Sequence, residues 1–76
     1  MIPLSQLPVG KEGRIVRMEG SGPLLYRLIA LGLVEGSGVR LVRRAILGDP
    51  LEIEVDGEYR LTLRREEADR ILVEDR

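Results

Sequence analysis

The stretch Leu51–Leu63, LEIEVDGEYRLTL, decides the fold. Leu51, Ile53 and Val55 alternate with Glu52, Glu54 and Asp56, and Tyr59, Leu61 and Leu63 alternate with Arg60, Thr62 and Arg64. That period of two marks half-buried strands. Matching their apolar faces fixes the register, because a slip of one residue turns every aliphatic side chain outward. Val55 is expected opposite Tyr59, Ile53 opposite Leu61 and Leu51 opposite Leu63. Asp56, Gly57 and Glu58 are left as the loop, and a two-residue primed turn at the Asp-Gly pair is disfavoured because it would set Val55 opposite Glu58. On the outer face Glu54 falls opposite Arg60, a pair worth about 0.2–1 kcal/mol.

Upstream, Ser21–Gly38 is the one stretch with a helical period. Pro23 suits the first turn, where its missing N–H costs nothing, with Ser21 or Gly22 before it as the cap. Gly32 fits a left-handed stop, with Leu33 folding back onto Leu28, so the helix is expected over Pro23–Leu31. At about 100° per residue Leu24, Leu25, Leu28, Ile29 and Leu31 fill one arc and Arg27 points away from it. A small core needs only Leu24, Leu28 and Leu31, which leaves Leu25 and Ile29 at the margin, buried, scattered or available to a partner.

Between helix and hairpin, Val39–Ala45 reads as a strand with Val39, Leu41 and Ala45 on one face. Arg43 breaks its alternation, so the strand ends before it or Arg43 sits at a rim. Ile46–Pro50, ILGDP, is a loop. Earlier still, Arg14–Met18 is a strand that is either covered on both faces or bulged, since Ile15 lies opposite Val16 and Met18. Met1–Val9 is an irregular lead-in with a few apolar anchors, and GKEG at 10–13 is a turn. Beyond the hairpin, Arg65–Asp69 reads as one helical turn with Ala68 inward, Ile71–Val73 as a last strand, and residues 74–76 as a fraying tail. These elements assemble into a mainly β fold, a small antiparallel barrel of about five strands with one inserted α-helix and one short helical turn.

The chain has 76 residues, room for one domain (1–76) with one core. Histidine and cysteine are absent, which removes Ser-His and Cys-His catalysis, imidazole and thiolate metal ligands, and disulfides. No phosphate-binding glycine loop is present. No catalytic, metal or cofactor site is expected, and the protein reads as a non-enzyme. The carboxylates Asp49, Glu52, Glu54 and Asp56 cluster in sequence, but Glu52 and Glu54 belong to a solvated strand face. Lysine and arginine number 12 against 13 acidic residues, and Lys11 is the one lysine. Balanced charge and only two aromatic residues, Tyr26 and Tyr59, argue against nucleic-acid binding by Arg40, Arg43, Arg44, Arg60, Arg64 and Arg65. No secretory leader or run of about 18 apolar residues is present, so a soluble, cytoplasmic protein is expected.

The order of residues resembles the ferrous iron transport protein A (FeoA) family over nearly the whole chain. The resemblance rests on Leu4, Leu7 and Gly10, then Gly13 and Ile15, then Arg27-Leu28, Leu31-Gly32-Leu33 and Gly36. It continues through Arg43-Arg44-Ala45, Leu47-Gly48-Asp49-Pro50, Ile53 and Val55, Leu61-x-Leu63-Arg64, Glu67-Ala68 and Ile71-x-Val73. Val34-Glu35-Gly36 departs from a common threonine-proline-glycine turn, and the turn at 56–58 is long. The resemblance implies an SH3-like barrel serving as accessory to a membrane ferrous iron transporter whose cytosolic portion includes a GTPase domain, and recruitment to the inner membrane face. Leu25, Ile29 and Leu33 with Arg43, Arg44 and Asp49 are the expected docking residues, although Leu33 also suits helix-stop packing. A free-standing module like the C-terminal domain of metal-dependent repressors, a nucleic-acid-binding barrel and a homo-oligomer are the alternatives.

Overall fold

The expected strands and helices form, and two bulges explain where the alternation breaks. The turn expected at 10–13 ends at Lys11 instead, because Glu12 and Gly13 pair with Arg40 and Val39 of the neighbouring strand. The computed structural model describes residues 1–75. In chain order it places β1 (Ile2–Pro3), a 3-10 turn (Leu4–Gln6), β2 (Glu12–Met18), α1 (Pro23–Ala30), β3 (Gly38–Arg44), β4 (Leu51–Val55), β5 (Tyr59–Leu63), α2 (Arg65–Ala68) and β6 (Ile71–Asp75). The strands make one antiparallel sheet in the order β1-β6-β2-β3-β4-β5. The mainly β class with an inserted helix and a helical turn is as expected, but the sheet has six strands and does not close, so β1 and β5 are its edges.

The hairpin has the register that its apolar faces dictate: Leu51 opposite Leu63, Ile53 opposite Leu61, Val55 opposite Tyr59. Its turn uses both signals at once. Asp56 (φ 52°) and Gly57 (φ 68°) take the paired positive φ of a primed turn, closed by Glu58 N–H donating to the Val55 carbonyl at 2.9 Å. Glu58 is then an extra residue before pairing begins, which keeps Val55 opposite Tyr59. Asp56 Oδ1 also accepts from Gly38 N at 2.8 Å, tying the turn to the start of β3.

In β2 the pairing with β6 shifts between Ile15 and Arg17, so Val16 is the bulged residue that lets Ile15 and Met18 both turn toward the core. In β3 a shift between Leu41 and Arg43 puts the bulge at Val42. The strand therefore runs on to Arg44 and Arg43 faces outward opposite Glu52, instead of ending or lying on the apolar face. Ala45 lies just past the strand, its N–H donating to the Pro50 carbonyl at 3.0 Å. The Asp49–Pro50 peptide is cis.

Two terminal expectations change. The lead-in is partly regular, because Ile2 and Pro3 pair with Val73 and Leu72. Leu4 and Leu7 are its buried anchors, while Ile2 and Val9 remain exposed. The last strand does not fray after Val73: Glu74 and Asp75 pair with Arg14 and Gly13, and Lys11 Nζ lies 3.2 Å from Asp75 Oδ1. Gly13 suits this close pairing, since a Cβ would meet Val73 Cβ at 3.2 Å and the Glu74 carbonyl oxygen at 3.1 Å, tighter than ordinary contact.

The core lies between the curved sheet and α1. Ile15, Leu41, Ile53, Leu63 and Ile71 from the strands meet Leu28 from the helix and Leu4 from the lead-in, all essentially without solvent contact. Burying a side chain of this size contributes about 1.5–3 kcal/mol.

Candidate docking surface

The helix is positioned by its ends. Pro23 occupies the first turn after Gly22, and the exit closes with Leu33 N–H donating to the Leu28 carbonyl at 3.1 Å and Gly32 N–H to the Ile29 carbonyl at 2.9 Å. Gly32 at φ 89° supplies the left-handed residue this Schellman closure needs. Leu33 then packs with Leu28, both at 0 % exposure. Tyr59 Oη donates to the Leu31 carbonyl at 2.7 Å, fastening the exit to edge strand β5.

The helix is also held from α2. Arg27 Nε donates to Glu67 Oε2 at 2.6 Å, and Arg64 N–H donates to Glu67 Oε1 at 2.8 Å. Glu67 is buried, which works to raise its pKa, but the Arg27 hydrogen bond, the Arg64 amide and the charges of both guanidinium groups outweigh that and hold it below its ordinary value. Arg27 thus lies off the apolar arc yet serves a structural pair. In the sequence Glu67 stands out only within the Glu67-Ala68 pair of the family resemblance, and nothing there marks it as the partner of Arg27.

Of the helix's apolar residues, Leu28 is buried, and Leu24 and Leu31 are half-buried against the core. Leu25 is half-buried and Ile29 is 46 % exposed. Tyr26, which the sequence marks only as one of two aromatic residues, is 73 % exposed beside them, and Val34 past the helix stop is exposed as well. An apolar margin therefore runs along the outer side of α1.

The other expected docking residues lie elsewhere. Leu33 offers no surface, because the helix stop turns it into the core. Arg43 and Arg44 sit at the Leu51–Leu63 end of the sheet, whereas the helix exit is fastened at the Val55–Tyr59 end. Arg44 Nη2 donates to the carbonyls of Ser5 at 2.7 Å and Leu7 at 2.8 Å, so this guanidinium clamps the lead-in onto β3. Asp49 Oδ1 accepts from Arg65 N at 3.0 Å at the start of α2. Arg43 Nε pairs with Glu52 at 3.4 Å.

Arg43 belongs to a charge ladder on the outer face of β3–β5. Arg60 lies 3.5 Å from Glu52 and 3.7 Å from Glu54, and Arg40 lies 2.9 Å from Glu54. Each exposed pair is worth about 0.2–1 kcal/mol, and together they engage Arg40, Arg43 and Arg60. Among the described residues no group of three or more carboxylates is arranged to hold a metal ion. Among the described residues no helix is long and apolar enough to cross a membrane.

Known proteins match this arrangement from end to end. A curated relative, an Fe(2+) transport protein A/Fe(2+) transporter FeoB fusion protein of Porphyromonas gingivalis, is 39 % identical over 71 residues, 93 % of this chain and 8 % of that protein. The solution structure of iron(II) transport protein A from Clostridium thermocellum superposes with a TM-score of 0.92 at 42 % identity, covering 97 % of this chain and 45 % of that one. The Stenotrophomonas maltophilia FeoA complexed with zinc, described as a prokaryotic SH3 domain protein, gives 0.81 at 32 % identity, over 97 % of this chain and 91 % of the other. A manganese-dependent transcriptional repressor shares the fold alone: TM-score 0.88 at 20 % identity, over 96 % of this chain and 35 % of the repressor. The FeoA domain profile matches residues 2–75, and the chain belongs to the FeoA family.

Proposed function

We propose that this chain is an accessory protein of ferrous iron transport that acts by docking on the cytosolic, GTPase-containing part of an FeoB-type membrane transporter. One observation carries the reading: the relative in which this domain and an FeoB transporter form a single polypeptide. Covalent linkage holds two modules at an effective concentration of about a millimolar for short flexible linkers, which is how weak functional contacts are secured. A chain lacking histidine and cysteine suits action by contact better than by chemistry.

The docking face in this proposal is the outer margin of α1, with Leu25, Tyr26 and Ile29 as its apolar centre. It lies on a helix fastened at Leu31 and Arg27, so little ordering entropy is lost on binding. The protein would then work at the cytosolic face of the membrane. Calorimetric titration against the isolated cytosolic part of the cognate transporter, with and without guanine nucleotide, tests this. Saturable heat supports docking, and a nucleotide-dependent affinity identifies the GTPase as the element contacted. Absence of heat in both conditions removes it.

A further inference from the structure

Between β2 and β3 the chain leaves the sheet and returns to it carrying α1. Glu19 N–H donates to the Arg70 carbonyl at 2.7 Å before this excursion, and Gly36 N–H donates to the Ile15 carbonyl at 2.8 Å after it. Residues 20–35, between those two bonds, make no backbone hydrogen bond to any strand among the described residues. The foot of the excursion is closed without them. Gly38, Val39 and Arg40 pair with Arg14, Gly13 and Glu12, and Ile15 N–H donates to the Ser37 carbonyl at 2.9 Å. Lifting α1 from its seat therefore breaks no strand pairing.

The hold on the excursion is small. Between residues 20 and 35 only Leu28 and Leu33 are fully buried, with Leu24 and Leu31 half-buried beside them. The rest of the core, from Leu4 to Val73, belongs to the strands, the lead-in and α2. Two side-chain bonds add to the leucines, Arg27 to Glu67 and Tyr59 to the Leu31 carbonyl, and water reaches both through the exposed Arg27 and Tyr59. Gly20 at φ 107° and Gly36 at φ 93° stand at the two ends, neither of them crowded, and give the backbone freedom to turn there.

We infer that residues 20–35 form a hinged lid: α1 lifts from the sheet as one unit, carrying Leu28 and Leu33 out of the core, while the six strands keep their pairing. Segments with few buried apolar contacts and no ladder bonds open at a smaller free energy than the whole molecule. Lifting bares the side of the core that Leu28 covers, and re-seating restores both side-chain bonds. The lid needs no partner and does not depend on the transporter reading.

The chain has no cysteine, so Leu28→Cys places a single thiol under the lid and Ile53→Cys a single thiol in the sheet. With excess dithionitrobenzoate in native buffer, Leu28→Cys should react at least about tenfold faster than its own global unfolding allows, at a rate that changes little in low urea. Ile53→Cys should react only as fast as its global unfolding permits, with the full urea dependence. Two thiols that both react at their global limits overturn the lid. Amide exchange of the unsubstituted protein follows the same motion without a change in the core. Leu28, Leu31 and Leu33 should share one opening free energy with a weak urea dependence, below that of Ile53 and Val55 in β4. A common urea slope for helix and β4, or α1 amides that open one by one from the helix ends, overturns it too.

Discussion

Arg27 and Glu67, 40 residues apart in sequence, form the ion pair that joins the two helices, with Nε and Oε2 2.6 Å apart. Glu67 is nearly enclosed while Arg27 is half-exposed, so the carboxylate depends on the pair more than the guanidinium does.

Acid should therefore loosen this joint. Folding lowers the pKa of Glu67 below its ordinary 4.5, so its stabilising contribution is complete above about that pH and disappears as pH falls through the folded value. Glu67→Gln should cost about 1–3 kcal/mol in denaturant unfolding at neutral pH, and the gap from the native protein should close as the solution is acidified from above 4.5 through the lowered folded value. A gap independent of pH would show that the charge plays no part.

Gly32 faces the hydroxyl of Tyr59 as well as carrying φ 89°. Gly32→Ala should destabilise by about 1–3 kcal/mol, from backbone strain plus collision of the new Cβ with that hydroxyl. Tyr59→Phe alone should cost about 0.5–1.5 kcal/mol through the lost bond to Leu31. Combined, the two should cost less than their sum, because removing the hydroxyl removes the obstacle. A double-mutant cycle by urea denaturation reads that coupling.

Arg44→Met should release the lead-in. Its guanidinium serves two carbonyls, Ser5 and Leu7, so the loss should be about 2–3 kcal/mol. Amide exchange of residues 4–7 should accelerate more than that of β4. Arg44→Lys should restore only part, since an ammonium does not reproduce the planar fork.

Docking through α1 separates surface from core by measurement. Tyr26→Ser with Ile29→Ser should weaken transporter binding by about tenfold or more with stability changed by about 0.5 kcal/mol. Adding Leu25→Ser should deepen the loss of binding at a modest further cost, as that side chain is half-buried. Leu28→Ala should instead cost about 2–5 kcal/mol, because it opens a cavity under the helix.

The elements legible in the sequence are those in which one period runs uninterrupted. The hairpin register follows from alternating faces on both strands, and the helix stop from Gly32 and Leu33. At Val16 and Val42 a single inserted residue reverses the facing of everything after it, so a face pattern registers a break without saying which way the strand turns. β1 is too short to show a period, and Glu74 and Asp75 extend β6 with side chains that carry no apolar signal. In the candidate site, Ile29 and Leu25 follow from helical angles. The inward turn of Leu33 and the commitment of Arg44 and Asp49 to backbone groups depend on partners distant in sequence, which composition and spacing do not reveal.

The strand order also governs how the molecule comes into being. β6 lies between β1 and β2, so the last strand in sequence supplies the neighbour on which both of the first two depend. Ile71 and Val73 bring core surface that nothing earlier replaces. During synthesis the lead-in and one side of β2 have nothing to pair with until residues 71–75 are free of the ribosome, although β2 to β5 already have one another. A polypeptide that continues past this domain clears that strand from the exit tunnel while synthesis is still under way, whereas a stop just after β6 delays the final pairing until release.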